Sequence, residues 1–184
     1  MKAKKIVLGV GGGIACYKAV MLASQLTQKG FEVIPFLTPA AQSFVQALSF
    51  EGVTQKHAVV DHLQVDERGV SVSLLAAEAD AMVIAPATAD LIGKMAAGMG
   101  NDPVSLAALV APDLRFFCPA MNDRMWKNPF VQRNVEALEK ANWRRIGPEN
   151  GHLAEGYSAP GRMAEPDRIL ASILEILHSH SEDS

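Results

Sequence analysis

The chain has 184 residues, 49% hydrophobic and 20% charged, enough apolar material for a globular domain with a sizeable core. Its net charge of −3 comes with no basic stripe, which argues against nucleic-acid binding, and no apolar run approaches the roughly 20 residues of a membrane span. Two cysteines exclude a disulfide framework and suit a reducing, cytoplasmic setting.

In chain order, KIVLGV (5–10) reads as a buried strand. It sits inside MKAKKIVLGVGGGIACYKAVMLA, which has the outline of a secretory signal: basic residues, an apolar run, then small residues. Lys18 interrupts that run early and three glycines dilute it, so strand, turn and helix fit the segment better. Residues 14–30 read as a helix, with Val20, Leu22, Ala23 and Leu26 on one face and Gly30 as its C-cap. FEVIPFLT (31–38), AMVIAPA (81–87) and LRFFCPA (114–120) read as strands, and WRRIG (143–147) as a weaker last one. Thr38-Pro39, Asp102-Pro103 and Asn128-Pro129 each place a capping side chain before a proline suited to the first helical position. GHLAEGYSAPGRMAEP (151–166) is too rich in glycine and proline for a regular helix or strand and reads as a hinged flap, weakly ordered over an empty site. A last helix starts near Pro166 and runs to about His178, with 179–184 as a frayed tail. This alternation predicts one α/β domain over 1–184. Its fold is three-layer and Rossmann-like (flavodoxin-like), with a mostly parallel sheet and helices on both faces.

In such a sheet ligands bind beyond the carboxyl ends of the strands. Four of those ends lead into helix starts rich in small, hydroxyl or amide residues: Gly11-Gly12-Gly13-Ile14, Thr38, PATAD (86–90) and PAMNDRMW (119–126). One such turn is explained by the need for small residues; four together favour an anion held by backbone N–H groups and helix dipoles. The first loop is not a dinucleotide fingerprint, because Ile14 stands at the third glycine position and Thr38 rather than an acid ends the second strand. A Walker A lysine is absent too. A mononucleotide with a terminal phosphate fits these residue types better.

GVGGGIACYK (9–18), PATADLIGKMAAGMGNDPVS (86–105), PAMNDRMW and GHLAEGYSAPGRMAEP occur in an order that resembles the homo-oligomeric flavin-containing cysteine decarboxylases. The resemblance covers about residues 4–178, and the PAMN and GRMAEP motifs point to the coenzyme A branch, which acts on 4′-phosphopantothenoylcysteine. It implies FMN at a subunit interface of a homo-trimer or dodecamer, a small thiol substrate, and a possible separate phosphopantothenate–cysteine ligase. It places Gly12, Gly13, Ile14, Thr38, Phe44, Thr88, Asp90 and Ser105 about the flavin. Asn122, Met125, Arg162 and Met163 would hold the substrate, Asn122 at the reacting end, and Met121 would lie near the flavin. The implied chemistry oxidises the thiol, releases carbon dioxide and then reduces the enethiol. Flavin prenyltransferases share the fold but lack the PAMN and GRMAEP motifs.

The sequence departs from that pattern twice. The family histidine before the third strand falls on Ser71 or Val72, neither of which can titrate as an imidazole. His152 is the histidine within the flap, and a solvated loop position is the alternative reading for it. The flap cysteine is replaced by Glu155, which has no redox chemistry but can donate a proton from a desolvated site, hydrogen-bond within the flap, or face solvent. Gly11 stands for a threonine, Asp90 for an asparagine and Ala159 for a glycine. Two further readings follow: oxidative decarboxylation of a peptide's C-terminal cysteine, and a non-catalytic flavin-binding subunit. Cys16 and Cys118 read as buried small hydrophobes.

Overall fold

The central strands are uninterrupted apolar runs because both faces of their sheet are covered. The computed structural model describes residues 4–182. β1 (Lys5–Val10), β2 (Glu32–Leu37), β3 (Ala81–Ala87), β4 (Arg115–Pro119) and β5 (Arg144–Arg145) form one sheet in the order β2-β1-β3-β4-β5, with every pair parallel. All seven residues of β3 are buried. The expected doubly covered α/β sheet is the one observed, with the strand order of flavodoxin-like folds.

Alternate strand residues feed two cores. Ile6, Leu8, Val10 and Phe116 pack with Leu22 and Leu26 of α1 (Cys16–Gln28), Phe50 of α2 (Ala47–Thr54), and Ile169 and Ile173 of α8 (Pro166–Glu182). On the other face, Val7, Ile84 and Phe117 meet α3 (Val72–Ala77), α4 (Ala89–Ala96), α5 (Pro103–Leu109) and α7 (Pro129–Lys140) through Leu75, Leu91, Val104 and Leu138. A one-turn helix, α6 (Asp123–Trp126), follows β4.

Two of the three proline-flanked caps form as expected. Asp102 Oδ1 accepts the N–H groups of Val104 and Ser105 at 3.0 and 2.9 Å, and Asn128 Oδ1 accepts that of Phe130 at 2.9 Å. Thr38 opens only a 3₁₀ turn, Ala41–Ser43, although its Oγ1 does accept the Ala41 N–H at 3.1 Å. α8 continues beyond the expected end at His178 as far as Glu182; the tail's last residues, 183–184, lie outside the described residues.

The reading of 151–166 as irregular is corrected. β6 (Glu149–His152) and β7 (Ser158–Arg162) form an antiparallel hairpin. Its glycines and proline sit where a two-stranded ladder tolerates them. Gly156 turns at φ +89°, and a Cβ on Gly151 would come 2.6 Å from Arg162 Cδ, so the bare glycine lets that side chain cross the ladder.

Candidate functional site

Gly11 donates its N–H to Pro86 O at 3.0 Å, tying the loop after β1 to the end of β3. A Cβ there would come 2.6 Å from Pro86 O and 2.7 Å from Leu91 Cδ1, so packing in this chain demands glycine where the resemblance expects threonine. Gly12 backs onto Ala40, where an added Cβ would meet Ala40 Cβ at 2.5 Å. A Cβ on Gly13 would meet only Thr88 Cγ2, at 3.8 Å, so that glycine faces open space. α1 then begins with no side-chain cap and no acid in its first turn. Cys16 and Lys18 already donate their N–H groups to Gly13 O and Ala15 O at 3.0 Å, so the helix start offers an anion the remaining N–H groups of this turn.

The neighbouring strand ends are capped from within. Thr88 Oγ1 accepts the Leu91 N–H at 3.3 Å, starting α4. Asn122 Oδ1 accepts the Met125 N–H at 2.9 Å, starting α6, so what Asn122 has left to offer a ligand is its amide N–H₂.

The hairpin closes this end of the sheet. Met121 donates its N–H to Gly161 O at 3.0 Å, and Gly161, at φ +136°, lies so close to Met121 O that no side chain fits between them. Lys18, 4% exposed, reaches from α1 and donates to Met163 O at 3.2 Å and Glu165 Oε1 at 3.0 Å. Arg162 pairs with the same carboxylate. The Lys18 ammonium, chief among these contacts, holds the Glu165 carboxyl below its ordinary value. At the tip, Tyr157 donates its hydroxyl to Asp123 Oδ1 at 2.6 Å, and Lys127 Nζ holds Asp123 Oδ2 at 2.8 Å.

These parts enclose a cavity of about 440 Å³. It brings together Gly12, Gly13, Ile14, Thr88, Asn122, Met125, Glu155, Arg162 and Met163, with His152, Met121 and Tyr17 beside them. Four predicted residues lie off its lining. Thr38 is buried and bonded to Val10 O at 3.2 Å; Phe44 is 54% exposed; Asp90 is exposed and pairs with Lys94 at 3.0 Å. Ser105 is fully buried, its hydroxyl 3.2 Å from the Asp102 N–H in the α5 capping box. Lys18 also lines the cavity, a role the sequence reading missed. The available signal was a lysine set inside an apolar helical run, where burial obliges a charged partner.

Neither substitute position for the family histidine lines the cavity. Ser71 begins α3 with its hydroxyl 3.2 Å from that of Ser73, and Val72 is 1% exposed. No cysteine lines it either. Cys16 lies beneath the glycine loop with Sγ 3.1 Å from Gly11 O, and Cys118 is fully buried in β4. Burial pushes both thiols above their ordinary values. A larger cavity of about 790 Å³ opens near the starts of β1 and β2. Its charges pair with one another, as in Lys56–Glu32 at 3.2 Å and Arg68–Asp66 at 2.8 Å.

The model of the Flavoprotein family matches residues 1–178. The chain is 36% identical over 178 residues to the probable phosphopantothenoylcysteine decarboxylase of Streptococcus mutans, covering 95% of this chain and 99% of that protein. It is 40% identical over 170 residues to the coenzyme A biosynthesis bifunctional protein CoaBC of Vibrio vulnificus, covering 91% of this chain and 42% of that protein. The chain thus spans about two fifths of the length of that bifunctional relative. Among solved structures, a mutant PPC decarboxylase complexed with pantothenoylaminoethenethiol superposes with a TM-score of 0.86 at 26% identity, covering 96% of this chain and 100% of that one. The FMN-dependent cysteine decarboxylase SpaF superposes with a TM-score of 0.79 at 28% identity, over 93% and 95% of the two chains.

Proposed function

The chain belongs to the Flavoprotein family, and on that premise we propose that it is an FMN-dependent decarboxylase of a cysteine derivative, with 4′-phosphopantothenoylcysteine as its substrate. The observation that carries the reading is the convergence on one cavity of the Gly12-Gly13-Ile14 loop, Asn122 and the 149–162 hairpin. The residues fit the cofactor. An uncapped helix start and a glycine with open space before it suit a phosphate, and Thr88, Ala120 and Met121 give a mixed apolar wall for a ring system. When bound, FMN supplies the electron acceptor and donor for thiol oxidation and the later reduction.

The protein's share is binding, orientation and water exclusion. Asn122 offers amide N–H donors to the substrate carboxylate. Lys18 and Arg162 share the Glu165 carboxylate, which leaves one positive charge in excess on the wall to meet an anionic substrate beside Glu155. Glu155 stands where a proton donor is wanted for the enethiol, and His152 is the imidazole at the same cavity.

The chain works as a homo-oligomer in this reading, a trimer or a dodecamer built from trimers. Ile14, just before α1, and Tyr17 and Met21 on it form an exposed stripe, 68%, 55% and 50% accessible, and Phe44 is also exposed. A neighbouring subunit on that face would cover the stripe and complete the cofactor site, which accounts for the position of Phe44 outside the cavity of a single chain. Substrate would come from a phosphopantothenate–cysteine ligase, as a separate protein or as a further part of a longer one, and the setting is cytoplasmic. Among the described residues no helix is long and apolar enough to cross a membrane.

The absence of any cysteine at the cavity favours one second reading, in which the enethiol leaves unreduced, an external acceptor such as dioxygen takes the two electrons from the reduced FMN, and the substrate is a peptide ending in cysteine. Product mass decides between them. The FMN-loaded protein is given 4′-phosphopantothenoylcysteine and, separately, a peptide ending in cysteine, and the first reading requires the saturated thiol from the former. An enethiol two hydrogens lighter supports the second, and no decarboxylated product from either substrate overturns both.

A further inference from the structure

We propose that Tyr157 is a latch that holds the hairpin tip over the cavity, a positioning residue acting through Asp123. The proposal rests on the reading of this cavity as the substrate site and adds the device that keeps it closed.

The two ends of the hairpin are fastened differently. Its root is tied to the body by backbone contacts, Met121 N–H to Gly161 O at 3.0 Å, and by Lys18, which holds Met163 O and Glu165. The tip, 153–157, has a local ladder of its own: Leu153 N–H to Tyr157 O at 2.8 Å and Gly156 N–H to Leu153 O at 3.0 Å. Leu153 tucks its side chain inward, 6% exposed. The tip's one side-chain hydrogen bond to another element is Tyr157 Oη to Asp123 Oδ1, at 2.6 Å.

That bond joins the two walls of the cavity. Asp123 directly follows Asn122 and shares the single turn of α6 with Met125, and both neighbours line the cavity. Tyr157 lies two residues past Glu155, which lines the opposite wall. The acceptor is charged and oriented, because Lys127 grips its other oxygen at 2.8 Å. An O–H···O⁻ bond of this length is charge-assisted. Gly156 turns the tip at φ +89° with no atom within 4 Å of the place of a Cβ, so the turn itself is not packed against the body. Tyr157 itself does not line the cavity, so it acts on the site only by holding its wall.

Hydrogen exchange on the full-length, FMN-loaded protein tests this without reference to turnover. In Tyr157→Phe the Leu153 and Gly156 amides exchange about five-fold faster, while the Met121 amide at the hairpin root is unchanged. Asp123→Ala gives the same acceleration, and the double variant is no faster than either single one. Unchanged tip exchange in Tyr157→Phe, or additive effects in the double variant, overturns the latch. With 4′-phosphopantothenoylcysteine, Tyr157→Phe raises KM severalfold with a smaller change in kcat; an unmoved KM overturns the positioning role. If the tip amides respond as described but the unmodified protein turns nothing over, the decarboxylase reading fails and the latch stands.

Discussion

Glu155 occupies the hairpin position where the resemblance places a reactive cysteine, and both cysteines of the chain are buried away from the cavity. Their thiols, raised by burial, stay silent to a thiol reagent in the native protein and react fully once urea unfolds it; fast native labelling would contradict that placement. Glu165 is the residue through which pH acts on the hairpin root. Its carboxyl is held below the ordinary value, first by Lys18, so the folded state favours the ionised form. Its contribution to stability is complete above about pH 4.5 and is lost as pH falls through the lowered folded-state value. Glu165→Gln therefore lowers the urea midpoint at about pH 7, and the gap to the unmodified protein narrows toward about pH 3; a gap that widens in acid contradicts the pairing. At this scale the positions of Asn122 and Gly13 at the cavity were legible in the sequence, because each follows a strand end marked by local pattern. It was silent on Lys18, whose partners are 145 and 147 residues away.

Two of the three elements with proline-flanked caps were read correctly. Asp102-Pro103 starts α5, and the box it forms with Ser105 gives that serine's hydroxyl a structural partner. Asp102→Ala costs about 1–2 kcal/mol in denaturant unfolding, and no loss would mean that the cap is idle. The hairpin was missed because its strands lack apolar alternation and its order comes from backbone pairing and from contacts to Met121 and Lys18 that no window of sequence contains. Gly161→Ala tests that account. It forces a Cβ into Met121 O at a left-handed φ and costs at least about 2 kcal/mol, with loss of hairpin protection in exchange. A neutral effect would mean that the hairpin is not seated there.

For the whole molecule, the sheet, its helix layers and the end that carries the site were all legible, because strand–helix alternation and glycine-rich turns are sequence-wide signals. The proposed assembly comes from the resemblance alone. Met21→Glu, on the exposed stripe of α1, is expected to reduce the light-scattering mass to that of a single chain and to weaken FMN binding with it; an unchanged mass contradicts an interface on this face. In the proposed reading this cavity decarboxylates a cysteine derivative without the family histidine or hairpin cysteine. The most direct test is carbon dioxide release from 4′-phosphopantothenoylcysteine labelled in the cysteine carboxyl group, using FMN-loaded protein beside Asn122→Ala. One carbon dioxide per substrate consumed is expected from the unmodified protein, with a loss of at least about 10-fold in Asn122→Ala. A flavin-loaded protein that releases none would contradict that reading.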